Sequence, residues 1–400
     1  MYTSSERSTH SPATTSAFLK DVLLCTLGAY GGPEAHMSVY LDQMVKKKGY
    51  LTETELVELI ALCSTLPGPT STQTIVSIGY KTGGPKLALL TMAVWSLPAL
   101  AAMTALSFLY GLFQPGTGSP AFLQFVPPMA VGFIVVAAVR IGRKVAVDPG
   151  AALLLAAGAG VTLFVRTPWV FPLLLVAGGA TVLLFSRERQ LWNPVSLRPQ
   201  WRYLLLFIFF TAGGIVLAAA TGSLLPALFE RFYRFGYLVF GGGQVVVPFM
   251  FSELVEGLHY LTGDQFLTGY GLVQGVPGPL FSFAAYAGGM AAAGGSTLDQ
   301  LLGAAAGGLG IFLPGLLLIF FVYPLWEDIQ RIRAVRIALK GVNAVAGGFI
   351  AASAVVLMRA GGIGAEEVAV AALSAGLLYF TRIPAPLIVL GALGAGVIAG

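Results

Sequence analysis

The chain has 400 residues, of which 56% are hydrophobic and 10% are charged, and its mean hydropathy is +0.82. A soluble domain carries roughly 25% charged residues. The composition therefore excludes a soluble globular protein and predicts an all-α, polytopic transmembrane protein. The net charge of +5 is typical of Lys and Arg in cytoplasmic loops and does not indicate a nucleic-acid partner. Two cysteines in apolar contexts, Cys25 and Cys63, indicate core positions.

Taken in chain order, residues 1–16 are polar and rich in Ser and Thr, and they lack the features of a secretory signal. They predict a disordered N-terminal tail. The long apolar runs that follow are Leu87–Tyr110, Ala121–Val139, Pro168–Phe185, Tyr203–Ala220, Leu298–Tyr323 and Val342–Met358. Shorter runs are Ala151–Val165, Glu367–Phe380 and Pro384–Gly400. Together these runs predict about ten to thirteen membrane elements.

Two motifs occur twice with the same spacing. A glycine motif at Gly31-Gly32 lies 37 residues before the centre of Pro67-Gly68-Pro69, and the same 37 residues separate Gly241-Gly242 from the centre of Pro277-Gly278-Pro279. The offset between the copies is 210 residues, and the tripeptide at 50–52 recurs at 260–262. This register predicts two homologous halves, 17–186 and 203–400, joined by a cytoplasmic linker, 187–202.

The second half carries an additional apolar segment, Tyr203–Ala220, before its glycine motif. One additional crossing inverts the orientation of the second half. The sequence thus predicts an inverted repeat with broken helices at the membrane midplane, a common architecture of secondary transporters.

Each Pro-Gly-Pro motif breaks a helix, and a new helix is expected to begin at Thr70 and at Leu280. The free N–H groups and the positive dipole end of such a helix form an anion site. The alternative is a kinked helix with a packing role only. The candidate substrate-binding residues are Gly31, Gly32, Pro67, Gly68, Pro69, Thr70, Ser71, Gln73, Gly241, Gly242, Gly243, Gln244, Gln274, Pro277, Gly278, Pro279 and Ser282.

Glu34 and His36 follow the first glycine motif and are candidates for proton coupling. The alternative is a solvated pair at the membrane interface. No phosphate-binding loop, metalloprotease motif or serine-hydrolase motif is present. We therefore predict no catalytic residues, no metal and no cofactor.

Basic residues cluster at 140–144, 187–202 and 331–340, which we place in the cytoplasm. Single crossings between these points put the N-terminus in the cytoplasm and the C-terminus outside. Lys46–Lys48 then fall outside, against the positive-inside rule, so their side of the membrane stays open.

Several long stretches carry a resemblance to a known family. They are LGAYGGPEAH, ALCSTLPGPTSTQ, IGYKTGG, FGGGQVVVPF, GYGLVQGVPGPLFSFAAYAGG, IFLPGLLL and LKGVNAVAGG, and they resemble the long, two-domain chromate ion transporters. The resemblance runs from about Leu24 to Met358. It implies a multi-pass inner-membrane protein that exports chromate with coupling to the proton-motive force and has a role in chromate resistance. Tyr30 and Lys46–Lys48 depart from the family pattern and leave the oxyanion open.

Sulfate has the shape and charge of chromate, so a sulfate or molybdate uptake carrier is the first alternative. A membrane-embedded enzyme is the second, but it requires a nucleophile or a carboxylate pair that the motifs do not provide. The expected partners are the oxyanion and the lipid bilayer, and self-association as a homodimer is left open.

Overall fold

The computed structural model describes residues 14–112, 121–165, 167, 169–186, 188, 199–240, 245–329, 332–362 and 364–399. These residues form helices and connecting turns and include no β-strand. The helices are α1 (Thr15–Gly28), α2 (Pro33–Tyr40), α3 (Glu53–Thr65), α4 (Thr70–Leu112), α5 (Val126–Val145), α6 (Pro149–Phe164), α7 (Val170–Leu184), α8 (Trp201–Thr221), α9 (Leu224–Leu238), α10 (Val246–Phe251), α11 (Gly263–Val273), α12 (Phe283–Ala291), α13 (Thr297–Val322), α14 (Trp326–Ile329), α15 (Arg333–Ala360), α16 (Ala365–Phe380) and α17 (Ala385–Ala399).

The first half begins with a hairpin whose tip is the glycine motif. Helix α1 leads to Gly31 and Gly32, and the chain returns through α2 and a π-helical turn, Leu41–Lys47. The two arms are antiparallel, because Asp21 on α1 bonds to Gln43 on the returning arm. With 14 residues, α1 is about 21 Å long, too short to cross a hydrocarbon core of about 30 Å. The hairpin therefore enters and leaves on the same side.

A second hairpin follows, with the Pro-Gly-Pro motif at its tip. Cys63 on α3 lies 3.7 Å from Ser77 on α4, measured between Sγ and Oγ, and Glu55 near the start of α3 pairs with Lys81. These contacts make the two arms antiparallel. The sequence predicted that the motif interrupts a membrane segment, and in the structure it does so by joining the two arms of a re-entrant hairpin. Thirteen residues in α3 are again too few to cross.

Helix α4 is itself divided. Gly84 has φ 73°, and the chain reverses there, so that segment 70–82 (α4a) and segment 85–112 (α4b) run antiparallel. The indole of Trp95 on α4b contacts Thr72 on α4a, which confirms the reversal. Segment α4b is long enough to cross the membrane.

The second half repeats this local structure at the 210-residue offset. Thr52 caps α3 in a reciprocal pair with Glu55, and Thr262 caps α11 in the same way with Gln265. The break is repeated as well, since Gly68 has φ 124° and Gly278 has φ 120°. Both values lie in a region that only glycine adopts without strain. The expected helix starts are confirmed: α4 begins at Thr70, and a 3₁₀ turn at Leu280–Ser282 leads into α12.

The tip of the Pro-Gly-Pro hairpin in each half forms a backbone hydrogen bond with the opposite half. Gly68 N–H donates to the carbonyl of Val239, 2.7 Å away, and Gly278 N–H donates to the carbonyl of Ala29, 2.9 Å away. Residues 29 and 239 differ by 210, as do residues 68 and 278. Each tip is therefore bonded to the end of the helix that precedes the glycine motif of the opposite half.

The later helices show the same reciprocity at an offset of 216 residues. Gly132 on α5 packs against the backbone of Ala371 and Ala375 on α16, and Gly348 on α15 packs against that of Leu155 and Ala159 on α6. In each case the close approach leaves no room for a side chain.

The central helices of the two halves run in opposite directions. On α13, Gln300 bonds to the carbonyl of Ser107 on α4b, and Gly308 lies against Leu100. Residue numbers along α13 rise from 300 to 308 while those of their contacts on α4b fall from 107 to 100, so the two helices are antiparallel. A two-fold axis in the membrane plane produces this antiparallel relation between equivalent helices, whereas an axis along the membrane normal makes them parallel.

Among the residues that the structure describes, five helical segments are long and apolar enough to span a membrane: Thr70–Gly111, Ala121–Val145, Trp201–Thr221, Thr297–Leu325 and Arg333–Ala360. In the first of these the spanning part is α4b, because the chain reverses at Gly84. Helix α8 is the additional segment of the second half, and its apolar side chains are largely exposed on the periphery. Most of the predicted tail (1–16) and linker (187–202) lies outside the described residues.

Candidate functional site

The candidate site lies at the start of α4a, directly after the first break. The ring of Pro69 gives the chain a fixed φ, and Gln73 N–H bonds to the carbonyl of Pro69. The N–H groups of Thr70, Ser71 and Thr72 precede that first bond and have no partner inside the helix. They present donors and a positive dipole end toward the interior of the protein.

Buried polar side chains surround this helix end. His36 Nδ1 lies 3.1 Å from Ser71 Oγ, and Tyr40 Oη donates to the carbonyl of Ser71 at 3.1 Å. Helix α2 places both residues on one face, since they are four residues apart. His36 is 1% exposed, and its second ring nitrogen, Nε2, is buried without a partner. A buried polar atom of this kind calls for a ligand or a water.

Trp95 on α4b connects this region to the second break. Its indole N–H donates to Thr72 Oγ1 at 3.1 Å, and its ring meets those of His36 and Tyr40 edge-on at 5.4 and 5.5 Å. On the other side, a Cβ atom built on Gly278 would lie 3.7 Å from the carbonyl oxygen of Trp95. We call His36, Tyr40, Ser71, Thr72 and Trp95 the polar cluster.

Gln73 was expected to contact the substrate, but its amide N–H groups bond within the protein. Its Nε2 donates to the carbonyl of Pro67 at 2.9 Å and to that of Gly315 at 3.3 Å. Since Gly315 lies on α13, this side chain ties the first break to the opposite half. Its Oε1 is buried without a partner.

The second half supplies different groups at its break. Ser282 Oγ donates to the carbonyl of Pro279 at 2.7 Å, so its proton is not available to a ligand. Gln274 Nε2 and the nearby hydroxyl of Tyr270 are buried without partners. Of the predicted residues in this half, Gln274 is thus the free donor that the structure describes.

Four of the five positions equivalent to the polar cluster are apolar in the second half, and the fifth, the equivalent of Thr72, is Ser282. Val246, Met250, Phe281 and Ile311 stand where His36, Tyr40, Ser71 and Trp95 stand in the first half, and they line a small cavity together with Tyr270. The pseudo-symmetric fold therefore contains one polar site and one counterpart whose lining is mostly apolar.

The structure describes the first glycine motif, Gly31-Gly32. Gly31 and Gly32 have φ values of 77° and 92°, and Gly32 directly precedes α2, which carries His36. The predicted residues Gly241, Gly242, Gly243 and Gln244 and the side chain of Glu34 lie outside the described residues.

Tyr40, Trp95 and Tyr270 were not predicted as site residues. A signal for Trp95 was present, because WSLPAL (95–100) matches IFLPGL (311–316) in the duplication. Tyr40 lies in a polar stretch without a motif, and Tyr270 lies within GYGLVQGVPGPLFSFAAYAGG, one of the stretches that resemble the family. In neither case does the sequence show that the tyrosine faces the site, because that depends on the packing. Among the described residues, no group of three His, Cys, Asp or Glu side chains is placed to hold a metal ion.

The arrangement suits a small anion. Its donors are backbone N–H groups and hydroxyls, and the one side chain in the cluster that can acquire a positive charge is His36. Such a site can hold an anion and still release it, because no permanent cation binds it.

Comparison with known proteins identifies the family of the chain. The chromate transporter family matches residues 17–184 and 226–398, one match for each half. The chain belongs to the chromate transporter family. It is accordingly a multi-pass helical membrane protein with two homologous halves.

Three relatives cover most of the chain. It is 27% identical to a probable chromate transport protein of Synechococcus elongatus over 96% of this chain and 94% of the relative. It is 28% identical to a chromate transport protein of Pseudomonas aeruginosa over 86% and 80%, and 26% identical to one of Cupriavidus metallidurans over 94% and 90%. No solved structure matches the chain.

Proposed function

We propose that this protein is a secondary transporter that exports chromate across the inner membrane in exchange for protons, and that chromate binds at the polar cluster. The observation that carries the proposal is the unpartnered Nε2 of His36 beside the free N-terminus of α4a. Family membership and the three relatives named for chromate transport support the substrate class.

Chromate is a tetrahedral dianion whose oxygens only accept hydrogen bonds. If Ser71 Oγ–H donates to His36 Nδ1, then His36 Nε2 carries a proton and donates toward the anion. A protonated His36 donates from both nitrogens and offsets part of the charge. The predicted role of His36 in proton coupling is consistent with its place in the cluster, and that of Glu34 stays a prediction.

The hairpins support an orientation for the protein. Because α1 and α2 return to the same side, Lys46–Lys48 lie on the side where the chain begins. Arg140, Arg143 and Lys144 at the end of α5 reach the same side after two crossings, by α4b and α5. The positive-inside rule then makes this side cytoplasmic, and Lys46–Lys48 no longer oppose it.

Flux into proteoliposomes tests the function. Chromate and sulfate are supplied separately, with and without a pH gradient, to the full-length protein. We expect the gradient to accelerate chromate flux and sulfate to compete, since the two anions share shape and charge. Flux of sulfate alone would support the uptake-carrier alternative, and no flux of either anion would contradict the proposal.

A pair of histidine variants tests the site in the same assay. His36→Gln should raise the KM for chromate about 10-fold or more, because a hydrogen bond to a charged group contributes roughly 1.5–3 kcal/mol. The matched control is His259→Gln, which alters an exposed histidine outside the site. An unchanged KM in His36→Gln would place the anion elsewhere.

A further inference from the structure

Helix α1 carries a buried carboxylate that the proposed site does not use. Asp21 is 2% exposed, and it accepts hydrogen bonds from Tyr50 Oη at 2.7 Å and from Gln43 Nε2 at 3.0 Å. Lys48 Nζ lies 3.1 Å from its Oδ1, and the Lys48 side chain is 45% exposed. We call these four residues the Asp21 cluster. It joins the two arms of the first hairpin.

The equivalent position in the second half has the opposite charge. Arg231 stands at the 210-residue offset from Asp21, and its Nε lies 3.4 Å from Glu253. Arg234 binds the same carboxylate with two hydrogen bonds, at 2.7 and 3.0 Å, and pairs with Glu230 at 2.8 Å. These two arginines and two glutamates also join the arms of a hairpin, formed by α9 and the π-helical turn Ser252–Gly257.

The two clusters differ in how they respond to protons. A guanidinium does not lose its proton in proteins, and Glu253 faces two of them, so the second cluster stays charged and balanced. Asp21 faces one ammonium, on a half-exposed and flexible chain, together with two neutral donors. Burial and the hydrogen bond to Asp21 raise the pKa of Tyr50, so Tyr50 remains a donor. If Asp21 binds a proton, the ion pair with Lys48 is lost while neutral hydrogen-bonding partners remain.

The other titratable groups near Asp21 do not replace it. Cys25 lies one turn along α1 and is buried. Asp42 and Lys47 on the π-helical turn are 2.6 Å apart and pair with each other, and both are more than half exposed. Among the charged groups described around the Asp21 cluster, Asp21 is thus the carboxylate that is buried.

Helix α1 connects Asp21 to the second break. Thr26 is five residues further along, about 7.5 Å, and its Cγ2 would lie 3.6 Å from a Cβ atom on Gly278. The carbonyl of Ala29, at the end of the helix, accepts the N–H of Gly278. A shift of α1 therefore moves the second break, which touches Trp95 of the polar cluster.

We propose that Asp21 is the protonation site that links the pH gradient to the movement of α1. This inference rests on the proposed proton-driven export of chromate. In the state of the cycle in which the polar cluster is open to the outside, a proton from outside reaches the carboxylate through the cluster. The ion pair with Lys48 on the cytoplasmic side then breaks, and α1 releases the second break so that the cluster opens to the cytoplasm. Chromate then enters, the proton leaves to the cytoplasm, and the ion pair with Lys48 forms again. The cluster with bound chromate then opens to the outside and releases the anion there, so that each cycle moves one proton inward and one chromate outward.

Two assays separate this role from substrate binding. Exchange of chromate against chromate at equal pH needs the site and its movement with substrate but no net proton transfer, whereas gradient-driven flux needs both. In full-length protein, Asp21→Asn keeps a hydrogen-bonding side chain that cannot titrate. We expect exchange within about twofold of the unmodified protein and gradient-driven flux reduced at least tenfold. Asp42→Asn, an exposed carboxylate of the same hairpin, is the matched control and should retain both.

Gradient-driven flux of Asp21→Asn equal to that of the unmodified protein would overturn the inference. So would equal loss of exchange and flux with an unchanged unfolding temperature. If Asp21→Asn does not fold, the variant Lys48→Gln tests the inference instead. Removing the ammonium group of Lys48 favours the protonated form of the Asp21 carboxyl. The pH of half-maximal flux should then rise by about one unit, and an unshifted profile would contradict the inference. Absence of chromate exchange in the unmodified protein would instead contradict the proposed function.

Discussion

The polar cluster beside the first break and the small cavity beside the second occupy equivalent positions in two halves that share their backbone design. In the first half, His36, Ser71 and Trp95 surround a free helix N-terminus. In the second half, Val246, Phe281 and Ile311 take their places. The duplicated backbone provides two re-entrant breaks, but the side chains make one of them polar. Variants that act on both breaks, or on one alone, can therefore separate what the shared backbone does from what the polar side chains do.

The largest effect is expected where the halves are alike. Gly68→Ala and Gly278→Ala should each abolish transport, because φ values of 124° and 120° cost a residue with a side chain about 1–3 kcal/mol. At Gly278 the new methyl group would also lie 2.9 Å from the Cβ of Ala99. Chromate flux and the free energy of unfolding measure the two effects.

The control for the glycines is Gly213→Ala on the peripheral helix α8, where the structure leaves space for a methyl group. That variant should transport normally. Normal transport by either Gly68→Ala or Gly278→Ala would show that its break does not need the observed conformation.

A smaller effect is expected from giving the first half the residue of the second. Trp95→Ile should lower flux at least tenfold and the free energy of unfolding by about 2–4 kcal/mol, because it leaves a cavity and removes the donor to Thr72. Trp95→Phe should be milder, since it keeps the ring contacts with His36 and Tyr40. Measured flux and thermal unfolding distinguish the two variants.

Trp201→Phe provides a matched control, because Trp201 is 60% exposed at the start of α8. It should leave both quantities unchanged. If Trp95→Ile bound and transported chromate as well as the unmodified protein, the difference between the halves would have no functional meaning.

The smallest effects concern two serines after the breaks. Ser71→Ala should raise the KM for chromate roughly 2- to 10-fold, as one hydrogen bond is worth about 0.5–1.5 kcal/mol. Ser282→Ala should leave KM unchanged and lower the free energy of unfolding by about 1 kcal/mol, because its hydroxyl serves the carbonyl of Pro279. Ser71→Asp should transport less than Ser71→Ala, since it places a like charge beside the anion. Equal KM values for Ser71→Ala and Ser282→Ala would contradict the assignment of the site to the first half.

Much of the local structure was predictable because its causes are local. Proline rings and the glycine between them stop a helix wherever they occur, so the breaks and the helix starts at Thr70 and Leu280 followed from the letters alone. The duplication followed from matched spacing, and the membrane location from an apolar composition. The free N–H groups after Pro69 are likewise a property of any helix start.

What the sequence could not show is how distant segments meet. A hairpin and a broken span have the same local signals, and they differ only in whether α3 packs antiparallel to α4a, as the contact of Cys63 with Ser77 shows. That one difference also changed the expected course of the chain around Lys46–Lys48. Gln73 is polar in the sequence, but its amide N–H bonds to the carbonyl of Gly315, which only the folded chain brings near. The Ser282 hydroxyl is used locally, by the carbonyl of Pro279 three residues earlier. Trp95 and Asp21 were not predicted for the same reason. Their burial and their long-range partners arise from the packing of distant segments, which cannot be predicted from a single stretch of sequence.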